Sequence, residues 1–93
     1  MTWVVTWAAA TSAEIVRIAA LRGDPAAVDQ AVQRMDWVLR RYPTDMGESR
    51  VPALRAVGPD LRVWFGDVLG VLYQVDDVAM RVEVLAVGPA RRR

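Results

Sequence analysis

The chain has 93 residues, no cysteine, no histidine and a formal net charge of +1. Length points to one domain with a modest core. Without cysteine there is no disulfide framework, thiolate metal site or thiol nucleophile, and without histidine the commonest general base and metal ligand are gone. The near balance of charge also argues against a broadly basic nucleic-acid binder.

WVVTW at 3–7 is β-branched and aromatic, which predicts a short strand. TSAE follows, and Thr11 with Glu14 fits a capping box opening a helix. Ile15, Ile18 and Ala19 would share its buried face, and Gly23 is the expected stop. The chain restarts at once, with Asp24 as cap and Pro25 in the first helical position. In the second helix Val28, Ala31, Val32, Met35, Leu39 and Tyr42 recur at helical spacing, and Pro43 ends the pattern. So short a link makes the two helices an antiparallel hairpin.

Residues 44–60 are rich in glycine, proline and charge and read as an irregular connection, with a short extended piece at 53–57. The period then changes to two. LRVWF at 61–65, VLGVLYQV at 68–75 and MRVEVLAV at 80–87 read as strands, joined by turns at 66–67 and 76–79. GPARRR is expected to leave the sheet as a flexible basic tail from residue 88. The element order is β-α-α-β-β-β, an α+β fold with the helical hairpin on one face of a small, mainly antiparallel sheet. The whole chain, 1–93, reads as one domain.

Alternation along the strands gives two faces. Met80, Val82, Val84 and Ala86 belong to the core set. Arg62, Trp64, Gly70, Leu72, Gln74, Arg81, Glu83 and Leu85 fall on the uncovered face, either an ordinary solvated surface or a binding surface. A register error of one residue would exchange the two sets. Tyr73 reads as core or half-buried.

Every basic side chain is arginine. Residues 1–49 carry five arginines against six acids, and residues 50–93 carry seven against five. GESR at 47–50 reads as a turn closed by a Glu48–Arg50 pair, or as the lip of a working surface. Arg50, Arg55 and Arg62 come close together in sequence and could bind RNA phosphates or an acidic peptide. Gly58-Pro59 and Gly88-Pro89 read as turns and lack the spacing of a phosphate-binding loop. Asp76-Asp77 lacks the further ligands of a metal site, so no metal and no cofactor is expected. Neither a membrane span nor a signal peptide is visible, which points to a cytoplasmic protein.

The combined layout resembles the RelE/ParE superfamily of bacterial toxins. The features that carry it are the short tryptophan-bearing strand, the tight helical hairpin, the GESR turn, and LGVLYQVDD followed by RVEVLAV. Together they cover roughly residues 3–88. The resemblance implies a cognate antitoxin that wraps the toxin. It also implies one of two activities, cleavage of mRNA in the ribosomal A site (RelE-type) or inhibition of DNA gyrase (ParE-type). For the first, the resemblance points to Arg55, Arg62 and Arg91; with the turn and open-face residues added, the candidate catalytic residues are Arg62, Arg50, Glu48 and Arg91, and the candidate contacts for RNA or antitoxin are Arg55, Trp64, Arg81 and Arg92. RelE-type ribonucleases carry an arginine on the strand that here reads VLGVLYQV, where this chain has Gly70, and no Tyr or His follows the last strand. For the second, the hairpin and C-terminal tail would bind a protein target. A toxin-like module kept only for protein binding is a third reading, and homodimerisation through the open face or edge a further expectation.

Overall fold

Two helices lie across one face of a five-stranded sheet. The computed structural model describes residues 2–49 and 60–90. Strand β1 (Val4–Trp7) leads into helices α1 (Ala9–Arg22) and α2 (Pro25–Leu39). Strands β2 (Glu48–Ser49), β3 (Asp60–Phe65), β4 (Leu69–Asp76) and β5 (Arg81–Pro89) follow. The strand order is β1-β5-β4-β3-β2. β1 runs parallel to β5, and the other neighbours are antiparallel. The α+β arrangement is the one the pattern predicts, with β2 added at the edge.

The helix ends show which local signals prevail. The capping box at Thr11 and Glu14 does not form. Ala9 and Ala10 are strong helix formers, so α1 begins at Ala9, and its N-cap, Ala8, contributes no side-chain hydrogen bond. Thr11 is buried in the first turn and its Oγ1 donates to the Ala8 carbonyl at 2.6 Å, while Glu14 pairs with Arg17 at 2.7 Å. Gly23, at φ +72°, closes α1 in the left-handed conformation. Asp24 caps α2 through Ala27 N at 3.1 Å, with Pro25 at the first position. The backbone N–H groups of Arg41 and Tyr42 both turn onto the Val38 carbonyl, at 3.0 and 2.7 Å. That tightened turn ends α2 at Leu39, and it leaves Tyr42 exposed instead of continuing the apolar stripe.

The core lies between hairpin and sheet. Ile18 of α1 and Val28, Met35 and Leu39 of α2 meet Val5, Leu69, Val71, Tyr73, Val75, Val82, Val84 and Val87 from the strands. α1 packs chiefly over β5. Trp7 ties the first strand to α2, its Nε1 donating to Asp36 Oδ1 at 3.0 Å.

Register corrects three expectations. Arg62 stands opposite Tyr73, and Trp64 opposite Val71, so both belong to the helix-covered face. Directly opposed residues of a ladder point the same way. β5 carries a bulge: Tyr73 pairs Val84 but Leu72 pairs Ala86, leaving Leu85 as the extra residue. The alternation therefore reverses after Val84, which exposes Ala86 and buries Val87. Gly88 and Pro89 remain in the sheet, opposite Gly70 and Leu69, and Ala90 N donates to the Val68 carbonyl at 3.0 Å. The tail expected from residue 88 does not begin there. The second hairpin turn runs one residue further than expected: Asp76 Oδ1 accepts from Val78 N and Ala79 N, and Met80 adopts φ +55° within the turn. Among the described residues no helix is long and apolar enough to cross a membrane.

Candidate functional site

The turn at 43–47 that leads into β2 is held from below by a buried polar cluster, so the turn expected at 47–50 comes earlier and Glu48 already belongs to a strand. Asp60 and Arg62 sit two residues apart on β3 and so share a face. Arg62 Nη1 donates to Asp60 Oδ2 at 2.6 Å, and both residues are buried. Its Nε donates to the Met46 carbonyl at 3.0 Å, and its Nη2 to the Gly47 carbonyl at 3.4 Å. The Tyr73 hydroxyl, from β4, stands between the Pro43 and Met46 carbonyl oxygens at 2.9 and 2.6 Å. Three side chains from two strands thus fix the chain from Pro43 to Gly47.

Electrostatics follow from burial. Burial alone would lower the pKa of Arg62, but the bond to Asp60 and its charge outweigh this and hold it above its ordinary value. Burial pushes the Tyr73 hydroxyl up to about 12, against the opposing pull of the Arg62 charge. Tyr73 is therefore neutral and Arg62 charged across the physiological range.

Gly47 completes the turn. Its φ is +69°, and a Cβ there would meet the Val63 carbonyl oxygen at 2.5 Å. Backbone passes so closely that only glycine fits. The turn sets Glu48 opposite Val63 on β3, at the sheet edge and exposed to solvent.

On the uncovered face the strands present Val63, Phe65, Leu72 and Ala86 around a shallow apolar depression of about 230 Å³. The Phe65 ring lies over Gly70, where a Cβ would meet the ring at 2.7 Å. Gly70 is thus covered by an aromatic ring that is itself 65% exposed. Further along, Gln74 Nε2 donates to Glu83 Oε1 at 3.2 Å, and Arg81 is exposed opposite Asp76.

Of the residues singled out by sequence, Arg62 and Glu48 both adjoin the turn, Arg62 bonded beneath it on the helix-covered face and Glu48 exposed at the sheet edge opposite Val63. Arg81 lies three strands from Glu48, about 14 Å across the sheet, and its partner Asp76 stands four residues beyond Leu72, about 14 Å further along the strands, so the two are not brought together. Trp64 packs against the core from the covered face. Arg50, Arg55, Arg91 and Arg92 lie outside the described residues, as does the extended piece expected at 53–57. The sequence reading passed over the Asp60–Arg62–Tyr73 cluster. Its signal was Asp-x-Arg in a strand, two opposite charges on one face of a sheet whose other side chains there are apolar.

The fold these elements build matches two solved structures end to end. A chain of the RelBE2 toxin–antitoxin complex of Mycobacterium tuberculosis superposes with a TM-score of 0.71 at 19% identity, covering 98% of this chain and 100% of that one. The isolated RelE toxin of E. coli superposes with a TM-score of 0.64 at 18% identity, covering 98% of this chain and 87% of that one. No protein-family model and no curated protein matches the sequence.

Proposed function

We propose that this chain is the toxin component of a type II toxin–antitoxin pair, held inactive by a cognate antitoxin. The observation that carries the reading is the end-to-end agreement of its fold with a chain of a toxin–antitoxin complex and with an isolated toxin. In this reading the target is mRNA on the ribosome. Glu48 is the one described carboxylate that the GESR turn itself presents, and it orients an arginine or accepts the 2′-hydroxyl proton. Arg50, Arg55, Arg91 and Arg92 supply charge for the phosphate and its transition state. Arg62 acts as a positioning residue, since its guanidinium is already bonded to Asp60, Met46 and Gly47. Positioning by the ribosome would carry much of the rate, which relaxes the need for a histidine base.

One observation favours a second reading, inhibition of a protein target such as gyrase. The uncovered face is apolar around Phe65 and Leu72, and Phe65 covers the position at which ribonucleases of this type carry an arginine. Purified chain in a cell-free translation reaction separates the two. Cuts within translated mRNA, mapped by primer extension and lost in Glu48→Gln, support the ribonuclease. Intact mRNA together with blocked DNA supercoiling supports the inhibitor.

A further inference from the structure

The outward face of α2 carries side chains for which the fold has no use. Gln30, Arg34 and Trp37 of α2, with Arg41 in the turn just past its end, are spaced by four, three and four residues and form one stripe. It points away from the side that buries Val28, Met35 and Leu39. Trp37 sits mid-stripe and is 52% exposed. An indole there contributes little to a helix whose apolar face is already buried elsewhere.

Trp37 is nevertheless held in place. The Arg41 guanidinium carbon lies 4.1 Å from the centroid of the Trp37 ring, and its Nη1 donates to the Trp37 carbonyl at 3.1 Å. The result is a stacked pair of planar groups, one cationic and one aromatic. No carboxylate interrupts the stripe. Asp29 lies to one side and accepts from Gln33 at 2.9 Å, and Asp36 is taken by Trp7 and Arg40. Beside the stripe, between α2 and the β3–β4 turn, opens a cavity of about 330 Å³. Gln30 and Arg34 line it together with Met35, Trp64 and Asp67. Stripe and cavity therefore share two residues.

We propose that this face is a platform for single-stranded nucleic acid. Phosphates follow Arg34 and Arg41, one base stacks at the Trp37–Arg41 pair, and its neighbour enters the cavity beside Trp64. The composition decides against a docked peptide helix, which needs apolar anchors at successive turns. Trp37 is flanked along its stripe by two guanidiniums and one amide, the setting of a base-stacking platform. A net charge of +1 is no obstacle, because the positive charge that matters is local to one helix face. The inference does not rest on the toxin reading, and binding can be measured whether or not the chain arrests growth.

The test is fluorescence anisotropy of the full chain with a labelled 12-nucleotide RNA and its DNA counterpart, at several salt concentrations. Binding should weaken with salt with a log–log slope of roughly −1.4, as expected for two phosphate contacts on a single strand. Trp37→Ala should weaken binding about 5- to 150-fold, the range for loss of one stacked base. Arg41→Gln should bring the slope to about −0.7. Arg17→Gln, on α1, should leave binding unchanged, and urea midpoints should show all variants folded. The proposal is overturned if neither oligonucleotide binds, if folded Trp37→Ala binds as well as wild type, or if polyglutamate competes as effectively as unlabelled RNA.

Discussion

Arg62 and Arg41 are the same side chain in opposite settings. Arg62 lies inside the molecule, bonded to a carboxylate and two backbone carbonyls. Arg41 lies on the outer surface, stacked on an exposed indole. Arginines at a working surface must have donors to spare, and by that measure the β3 arginine belongs to the architecture. Its work is to hold the turn that presents Glu48. Charge counted along the sequence hides this difference, because it gives every arginine the same weight.

The largest expected effect is at Arg62. Arg62→Ala removes the guanidinium shared by Asp60, Met46 and Gly47, and losing one partner of a buried pair costs about 3–5 kcal/mol. For a small domain that is a large part of the total. Urea unfolding should show a midpoint far below wild type. A loss under about 1 kcal/mol would be the surface value, and the contrast with Arg41 would collapse. Arg41→Ala itself should shift stability by no more than about 0.5 kcal/mol.

The two glycines with positive φ sharpen the same contrast. Gly47→Ala would drive a Cβ against the Val63 carbonyl, whereas at Gly23 nothing lies within 4 Å. Backbone strain alone accounts for about 1–2 kcal/mol at Gly23, and Gly47→Ala should exceed it clearly because the clashing group is backbone. Equal losses at both positions would mean that the turn gives way, and that the cluster beneath it holds less firmly than described.

Tyr73 makes the region sensitive to alkali. Its folded pKa is raised to about 12, above the free value near 10. The stability this represents is fully present below pH 10 and is lost as pH rises from 10 towards 12. Tyr73→Phe should cost about 1–2 kcal/mol near pH 7 through the lost hydrogen bonds. Above pH 10 its stability should then fall less steeply than that of wild type. Parallel curves would show that the hydroxyl is not held neutral by burial.

Much of this fold could be read from the residues. Gly23, Asp24 and Pro25 mark the hairpin turn by local chemistry alone, and Val71, Tyr73 and Val75 announce a core strand by alternation. The faces of β3 and β5 could not be read so directly. A buried arginine breaks the polar-out rule at Arg62, and the bulge at Leu85 reverses the alternation midway through β5. Both depend on partners distant in sequence. The same limit applied to the site. Glu48 could be singled out by its place next to a turn glycine, whereas the role of Arg62 needed Asp60 and the carbonyls of residues 46 and 47. Trp37 went unremarked because an isolated tryptophan on a helix gives no periodic signal.

The most direct test of the central claim is the viable count after tightly controlled expression of the intact chain in bacteria. Colony counts should fall by orders of magnitude with wild type and recover with Glu48→Gln at equal levels of folded protein. Unchanged counts with abundant, folded wild-type protein would contradict the toxin reading and leave this fold, in this chain, as a binding module.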